Sequence, residues 1–362
     1  MANSHSNKVV IVGGPLGGLF TGIVLQRLGH DVTILERTLS QILAGQGAGI
    51  SLSSLIPPIF ESFKNLTASG SPIIEFFDKY DRTGTQYYIN VPSEFQYLKR
   101  DGSVKATVTT NIRNLSASWD SLYTTLRANF GGGYEKGSGN SAKKEADDGK
   151  AEYLAQVPGS AVRELLLPEV ERTYGGYAAW RGTVREDCLS KEAADILQDT
   201  PSFFYYKGSH AVIYKINGIN GSTKDRERFM NIVWYSNYAP SELQEILTSA
   251  FGKVQHFSIG IGKICPEIRS RQGSIASSVL TPPLSEVFQK VEQPFIQAIT
   301  DNITSEAVFM NREVLLGGGA LAGLRPHTTA GTAQAAMHAL MLNKVFVSGE
   351  MSLGEWEMKV LK

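Results

Sequence analysis

Residues 8–37, "KVVIVGGPLGGLFTGIVLQRLGHDVTILER", carry a clear pattern of strand, glycine turn, helix and strand. Its first residues form a continuous β-branched run, which is typical of a strand buried on both faces. A glycine-rich turn follows, and then apolar residues recur at helical spacing until Gly29, a plausible helix C-cap. Residues 31–36, "DVTILE", predict a second buried strand that closes with Glu36. The stretch therefore predicts a β-α-β half-unit with an acid at the end of its second strand.

The glycine turn has the features that a dinucleotide phosphate needs. Gly13 permits a tight turn, Gly18 lets helix and strand pack closely, and the helix N-terminus presents free N–H groups and a positive dipole end. Glu36 follows at about the 20-residue spacing at which a carboxylate accepts hydrogen bonds from ribose hydroxyls. Pro15 replaces the middle glycine; it suits the first turn of a helix but offers the phosphate one donor fewer. A nucleotide-free unit whose glycines serve packing alone is the alternative.

The far end of the chain repeats this pattern. Residues 311–346, "NREVLLGGGALAGLRPHTTAGTAQAAMHALMLNKVF", predict a short strand, a glycine loop and an alanine-rich helix. That helix begins near Gly331 and Thr332, where its positive end could lie against the N1–C2=O edge of a flavin and stabilise the reduced form. His327, in the turn before the helix, either caps local backbone or faces the flavin or the substrate.

Composition limits the possible partners. The 362 residues, 42% of them hydrophobic, suffice for two domains that share an interface. Formal net charge is zero, with 35 basic and 35 acidic residues, so no basic field is available for nucleic acid or an anionic membrane. Cys188 and Cys265 lie far apart and show no metal-ligand spacing, which predicts no metal site and a reducing compartment. The short polar N-terminus and the lack of a long apolar run predict a cytoplasmic protein.

The middle of the chain predicts an antiparallel sheet rich in aromatic residues. The pattern in "YGGYAAWRGTV", "FFYYKGSHAVIYKING" and "RFMNIVWYSNY" alternates as strands do, whereas residues 118–130 and 284–300 predict surface helices. Trp180 and Arg181 suit sheet packing or ligand contact equally, and His256 and His338 have no motif around them. Candidates to line a pocket, with cross-strand pairing as the alternative for each, are Tyr205, Tyr206, His210, Tyr214, Trp234 and Tyr235.

The sequence resembles the class A flavoprotein monooxygenases, within them the 2,6-dihydroxypyridine 3-monooxygenase-like branch and its fungal relatives. The matching segments follow the family order along nearly the whole chain: "VVIVGGPLGGL…VTILER", "GQGAGISL", "SWDSLYTTLRANF", "PGSAVRELLLPE", "YGGYAAWRGTV", "RFMNIVWYSNY", "LTPPLSEVFQKVEQPFIQAITD" and "RPHTTAGTAQAA". The resemblance implies a Rossmann-like FAD-binding domain of the p-hydroxybenzoate hydroxylase type and a mostly antiparallel β-sheet substrate domain. It also implies bound FAD, hydride from NADPH or NADH, a flavin C4a-hydroperoxide formed with O2, hydroxylation of a small electron-rich aromatic, and a homodimer.

The same resemblance divides the chain. It assigns a discontinuous FAD-binding domain, residues 1–70, 111–173 and 305–362, and a substrate-binding domain, residues 71–110 and 174–304. Residues 131–150 are expected to form a flexible linker that replaces part of the family sheet. His210 and His327 are the candidate bases that deprotonate the substrate. The expected cofactor-binding residues are Gly13, Gly14, Leu16, Gly17, Gly18, Glu36, Arg37, Arg113, Trp119, Gly318, Gly319, Pro326, Gly331 and Thr332.

Two further features depart from the family. Relatives have Gly-Asp-Ala where this chain has Gly318, Gly319 and Ala320, and the family aspartate holds the ribityl O3′ hydroxyl of FAD. The loss of that charge-assisted hydrogen bond is worth about 1.5 to 3 kcal/mol. The chain also lacks the family segment that carries an Asp-Gly pair near the FAD pyrophosphate, and deleting strands from a sheet exposes edges.

These departures leave alternatives open. A flavin-fold homologue without redox activity would bind a metabolite, bind FAD weakly or use the pocket for acid–base chemistry. A degraded relative would fold poorly. A nicotinamide dehydrogenase without flavin would leave the second glycine loop and helix, at 317–346, unexplained.

Overall fold

A computed structural model describes residues 6–36, 48–52, 71–109, 114–131 and 160–362. Its helices are α1 (Leu16–Arg27), α2 (Pro72–Tyr80), α3 (Trp119–Gly131), α4 (Ala161–Leu166), α5 (Lys191–Leu197), α6 (Pro240–Ile246), α7 (Pro266–Val279), α8 (Pro282–Lys290), α9 (Ala330–Asn343) and α10 (Leu353–Val360). Its first eight strands are β1 (Lys8–Val12), β2 (Asp31–Leu35), β3 (Gly49–Ser51), β4 (Ile89–Val91), β5 (Glu94–Leu98), β6 (Val104–Thr109), β7 (Asn114–Ser118) and β8 (Thr173–Arg185). The others are β9 (Ser202–Tyr206), β10 (Ser209–Ile216), β11 (Phe229–Asn237), β12 (Ser258–Ile259), β13 (Phe295–Ile303), β14 (Val308–Phe309), β15 (Val314–Leu315) and β16 (Ala322–Gly323). Within the described ranges, no helix has the length and apolar character needed to cross a membrane.

A nine-stranded sheet dominates the second half of the chain. Its order is β12-β13-β8-β11-β10-β9-β5-β6, with β16 added to β13, and its pairs are antiparallel except β5–β9. Side chains alternate between its two faces, as a strand requires. On one face Trp180 and Trp234 pack around Phe288 of α8, with ring centroids 6.1 and 5.1 Å from that ring. The opposite face carries the residues of the candidate site.

The nucleotide-type unit is built around two buried helices. Helix α1 follows β1 and leads into β2, which pairs in parallel with β1, so the predicted β-α-β half-unit is present. Helix α9 is buried along almost its entire length, and its alanines allow the close approach of α1. The β-carbon position of Gly17 lies 3.6 Å from Ala335 Cβ. Gly29 has a φ of +86° directly after α1, which fits its predicted role at the helix end.

The expectation that β1 is buried on both faces is wrong. Val10 and Val12 are 61% and 56% exposed. Among the described ranges β1 pairs with β2 alone, so its other edge carries no strand. A β-branched run predicts a strand, but burial on both faces also needs neighbouring strands and helices, and these are absent from the described part of the sheet.

The helix predicted over residues 284–300 is only half correct. Helix α8 ends at Lys290, and the chain then forms β13, which pairs with β8. Pro294 disfavours continuation of the helix through the residue before it, and the β-branched residues after it fit a sheet. The helix predicted over residues 118–130 is present as α3.

Packing in the first third of the chain joins elements that were assigned to different predicted domains. Helix α2, assigned to the substrate-binding domain, contributes Ile73 and Phe76 to the hydrophobic core that α1 and α9 share. Strand β4 pairs with β7 in a three-stranded sheet, whereas β5 and β6 join the nine-stranded sheet. The predicted linker, residues 131–150, lies outside the described residues except for Gly131, which ends α3.

Candidate functional site

The first glycine turn places a bare helix N-terminus at the end of β1. Gly13 has a φ of +111°, in the left-handed region that favours glycine. A β-carbon at Gly18 would overlap the carbonyl oxygen of Gly13, so only glycine allows this approach. Pro15 is the N-cap of α1, which has no side-chain cap and no acidic residue in its first turn. The positive end of α1 is therefore available to an anion.

Glu36 reaches back from the end of β2 to the same turn. Its Oε2 accepts a hydrogen bond from the backbone N–H of Gly14 at 2.6 Å. The carboxylate and the helix N-terminus thus lie side by side, as the nucleotide interpretation of the sequence expects. Hydrogen bonding of Glu36 to a ribose stays a prediction.

The second glycine loop meets the first turn at one residue of α9. Gly318 has a φ of +55°, and its β-carbon position lies 3.4 Å from Ala335 Cβ, the atom that also faces Gly17. Gly319 and Gly331, by contrast, have no atom within 4 Å of their β-carbon positions. Helix α9, like α1, has no side-chain cap and no acid in its first turn. The first turn of α1 and the second glycine loop therefore both meet α9 at Ala335, and both helices have uncapped N-termini.

His338 holds this loop in place, a role that the sequence did not reveal. Its Nδ1 accepts a hydrogen bond from the backbone N–H of Gly318 at 3.0 Å. Burial lowers the pKa of His338 to about 4, so the imidazole is neutral and can act as an acceptor. One signal was available: His338 stands three residues after Ala335, on the same face of α9.

We expect His338 to make the fold sensitive to acid. The pKa of a histidine is about 6.5 in the unfolded chain and about 4 in the folded one. As pH falls below 6.5 the unfolded state takes up the proton first, so the free energy of unfolding decreases until about pH 4, by about 3 kcal/mol for this group. Urea titrations between these pH values should show that His338→Asn loses this part of the acid sensitivity.

The matched control for that prediction is His256→Asn, which changes an exposed histidine. It should leave the acid sensitivity as it is in the wild type. Equal pH dependence in His338→Asn and the wild type would contradict the assignment of a buried neutral imidazole.

The face of the nine-stranded sheet that points away from α8, its open face, brings the two candidate bases together. His210 lies directly opposite Tyr205 on β9 and Tyr235 on β11. Its ring stacks between theirs, with centroid distances of 5.7 and 4.5 Å. His327, from the turn before α9, is perpendicular to His210 with its ring centroid 6.4 Å away. Two histidines that were chosen from distant segments thus share one site.

A tyrosine and an ion pair complete this cluster. The hydroxyl of Tyr177 and Nδ1 of His327 are 3.1 Å apart and share a hydrogen bond. Arg325 forms an ion pair with Asp301 at 2.7 Å, and its Cζ lies 5.9 Å from the centre of the Tyr177 ring. Burial lowers the pKa of His327, and Arg325 lowers it further; burial and His327 lower the pKa of His210 in the same way. Both imidazoles are therefore neutral at pH 7.

Two of the predicted pocket residues lie on the wrong face. Trp234 points into the helix-covered core, where its Nε1 donates to Ser209 Oγ at 2.7 Å. Tyr206 follows Tyr205 and so faces the opposite side of the sheet, where Arg100 lies over its ring at 5.4 Å. Alternation along a strand separates the two faces, but the sequence did not show which face each helix covers.

The remaining predicted cofactor residues fall into three groups. Leu16 is buried in the first turn of α1, and Pro326 and Thr332 lie, half-buried, on either side of the start of α9. Trp119 begins α3 and stacks on Tyr123 with a centroid distance of 4.8 Å. Arg37 and Arg113 lie outside the described residues.

These elements fit FAD, with two weak points. The uncapped N-termini of α1 and α9 suit the pyrophosphate and the flavin ring, and the open positions at Gly319 and Gly331 leave space beside them. Pro15 offers no N–H to a phosphate, and Gly319 offers no acceptor to a ribityl hydroxyl. Binding should therefore be possible but weaker than with the full family set of contacts.

Comparisons with known proteins agree with this arrangement. The family described as "FAD binding domain-like" matches residues 174–301, the part that contains β8 to β13. The curated 2,6-dihydroxypyridine 3-monooxygenase of Paenarthrobacter nicotinovorans is 26% identical over 380 aligned residues, which cover 99% of this chain and 88% of that protein. The alignment is longer than this chain, so the relative has residues that this chain lacks.

Solved structures share the fold over almost the whole chain. The 2,6-dihydroxypyridine-3-hydroxylase of Arthrobacter nicotinovorans superposes with a TM-score of 0.78 at 25% identity, covering 99% of this chain and 89% of that one. HpxO of Klebsiella pneumoniae, solved with FAD and uric acid, gives a TM-score of 0.63 at 17% identity, covering 99% and 84%. By sequence and fold together, the chain is homologous to 2,6-dihydroxypyridine 3-monooxygenase and shares the fold of the FAD-dependent monooxygenases.

Proposed function

We propose that this protein hydroxylates a small, electron-rich aromatic ring, with O2 as the oxygen source and NADPH or NADH as the reductant. The observation that carries the proposal is the pair of neutral histidines, 6.4 Å apart, on the open face of the substrate sheet. The relative from Paenarthrobacter nicotinovorans acts, by its name, on 2,6-dihydroxypyridine, which is a ring of this kind.

FAD would be held by the two glycine-started segments. The turn of Gly13 and Gly14 would lie beside the pyrophosphate, Gly17 and the rest of the first turn of α1 would bind it through backbone N–H groups, and Glu36 would bind a ribose. The loop of Gly318 and Gly319 would contact the ribityl chain, and Pro326, Gly331 and Thr332 would contact the flavin ring at the start of α9. When bound, FAD supplies the transfer of electrons from the nicotinamide to O2.

The chain's own residues would prepare the ring for attack. A ring hydroxyl becomes more electron-rich when it loses its proton, and a neutral imidazole within hydrogen-bond reach can accept that proton. His210 or His327 would take it, and Tyr177 would fix the orientation of the His327 ring through their hydrogen bond. Val233 and Tyr235, almost fully buried on the same face, would exclude water from the reacting ring.

The pH profile should show this arrangement. Because the pKa values of His210 and His327 are both lowered from 6.5, their basic forms persist in weakly acidic solution. We expect kcat/KM to stay high as pH falls through 6.5 and to decrease only at lower pH. Initial rates between pH 4 and pH 8 measure this, and an acid limb centred above 6.5 would contradict the neutral histidine pair.

Isotope incorporation tests the proposed reaction itself. FAD-loaded protein is incubated with 2,6-dihydroxypyridine, NADPH or NADH, and ¹⁸O2, and the product is analysed by mass spectrometry. One ¹⁸O atom should appear in the ring product, at a rate that depends on the nicotinamide. Oxidation of the nicotinamide without oxygen transfer to this ring, or to the salicylate and uric acid that related structures contain, would contradict the proposal.

Two observations favour a second candidate, a flavin-fold protein without redox activity. Gly319 has no side chain to accept a ribityl hydrogen bond, and within the described ranges β1 has an unpaired edge with Val10 and Val12 exposed. Such a protein would be isolated colourless, resist reconstitution with FAD, and still melt cooperatively. A yellow protein that turns over would exclude this candidate.

A further inference from the structure

Two buried hydrogen-bond donors on the open sheet face have no partner among the residues that the structure describes. We propose that Arg181 and Asn231 bind the oxygen atoms that are attached to the substrate ring, and that the substrate binds as a planar anion. This inference rests on the proposed hydroxylase function and names the kind of substrate that it takes. Both residues lie on the face that also carries His210 and Tyr235.

The orientation of the Asn231 amide is fixed by a strand from the other part of the molecule. Its Oδ1 accepts a hydrogen bond from the backbone N–H of Gly49 on β3 at 3.1 Å. The amide cannot be flipped without losing that bond, so Nδ2 is the group that points away. Asn231 is 1% exposed, and its Nδ2 donates to no atom of the described residues. A buried amide donor without an acceptor is rare and costly, which points to a ligand.

Arg181 presents a second donor of the same kind. Its Nη1 donates to Gln297 Oε1 at 3.1 Å, whereas its Nε is buried without a partner. Arg181 lies opposite Val233, and Asn231 is two residues away on that strand. The two side chains are therefore diagonal neighbours on one face of the sheet, close enough to serve one small molecule.

Tyr214 forms the wall beside these donors. It lies directly opposite Asn231, and the backbone of Gly49 rests against its ring so closely that no side chain fits at that position. Burial raises the pKa of Tyr214 to about 12, so this phenol stays neutral and adds no negative charge. The two donors therefore have a neutral aromatic ring beside them on the same face of the sheet.

The charges favour an anion. Arg181 is a cation, while its described neighbours on this face, Gln297, Asn231 and Tyr214, are neutral. A ring that has lost a hydroxyl proton to a histidine of the site carries its negative charge on its oxygens, which are the acceptors that Arg181 and Asn231 lack. The proton goes to the imidazole and the charge is stabilised by the guanidinium, so the two groups act on the same ionisation.

Carbonyl groups of the flavin ring could also accept hydrogen bonds from Arg181 and Asn231. The test therefore measures the affinity for the substrate probe and the affinity for FAD. The probes are 2,6-dihydroxypyridine and pyridine, which lacks the two hydroxyl groups. Each probe is titrated into the FAD-loaded protein. The variants are Arg181→Gln, Arg181→Lys and Asn231→Asp, which keeps an acceptor for Gly49 but replaces the donor by an oxygen. The matched control is Arg185→Gln, at the exposed end of the same strand, where Arg185 pairs with Asp187.

We expect Arg181→Gln and Asn231→Asp to weaken binding of 2,6-dihydroxypyridine by about ten- to a hundredfold, the effect of one charge-assisted hydrogen bond. FAD affinity and the weak binding of pyridine should not change. Arg181→Lys should recover part of the affinity, because it keeps the charge. The ultraviolet spectrum of the bound probe should be that of the ionised ring in the wild type and of the neutral ring in Arg181→Gln.

Three results would overturn the inference: equal affinity of all variants for 2,6-dihydroxypyridine, an equal loss in Arg185→Gln, or loss of FAD in place of the probe. If Asn231→Asp does not melt cooperatively, the two Arg181 variants decide. Failure of the wild type to take up FAD would instead contradict the proposed function.

Discussion

Gly319→Asp is expected to tighten FAD binding by about ten- to a hundredfold. The family places an aspartate here to hold the ribityl chain, and this chain has only backbone. A carboxylate that accepts a hydrogen bond from a ribityl hydroxyl restores one charge-assisted contact, which accounts for the size of the effect.

The structure has room for this change. No atom lies within 4 Å of the β-carbon position of Gly319, and its φ is outside the left-handed region, unlike that of Gly318. The loop is already held by the hydrogen bond from Gly318 to His338 and by contact with Ala335. The new side chain would therefore meet an ordered backbone and no steric conflict.

Fluorescence titration of the apo-protein with FAD measures the effect. Gly319→Asn keeps the size of the side chain without its charge and should give a smaller gain. Gly260→Asp adds the same charge at another open glycine, next to the edge strand β12, and should leave FAD affinity unchanged. Unchanged affinity in Gly319→Asp, or an equal gain in Gly260→Asp, would contradict the placement of the ribityl chain at this loop.

Replacing either candidate base should strongly reduce catalytic efficiency. We expect His210→Gln or His327→Gln to lower kcat/KM by about 10²- to 10⁴-fold, the usual contribution of a general base, while FAD affinity stays unchanged. Because the two imidazoles are neighbours, one of them accepts the proton and the other sets its environment. The double variant should therefore lose much less than the product of the two single losses.

The partner of His327 gives a graded test of this cluster. Tyr177→Phe removes the hydroxyl that shares a hydrogen bond with His327 Nδ1, so it should lower kcat/KM less than the loss of the imidazole does. His256→Gln changes an exposed histidine and should have no effect. Wild-type kcat/KM in both His210→Gln and His327→Gln would show that neither histidine is the base. Another group would then have to account for the pH profile.

The sequence predicted which helices and strands form better than it predicted their burial and pairing. Local patterns sufficed for α1, α9 and the aromatic strands, because helical spacing and strand alternation are properties of short segments. Burial of β1 was predicted wrongly because it depends on neighbouring strands, and in the described part of the chain β1 pairs with β2 alone, which leaves Val10 and Val12 exposed. The end of α8 was missed because pairing of β13 with β8 outweighs the helical spacing of its residues.

The candidate site likewise contains residues that the sequence predicted and residues that only the fold revealed. Sequence alone proposed His210 and His327 separately, and only the fold places them in contact across one sheet face. His338, Arg181 and Asn231 gave no decisive signal, because each is defined by a partner, or by the lack of one, far away in the chain. Trp234 was assigned to the pocket because alternation separates two faces without identifying the one that helices cover.

We propose that two helix N-termini, at α1 and α9, hold a flavin nucleotide despite Pro15 and Gly319. The decisive measurement is the visible absorption spectrum of the purified protein, repeated during titration with FAD. We expect flavin bands in the isolated protein or saturable, equimolar uptake by the apo-protein. A protein that melts cooperatively yet stays colourless at saturating FAD would contradict it.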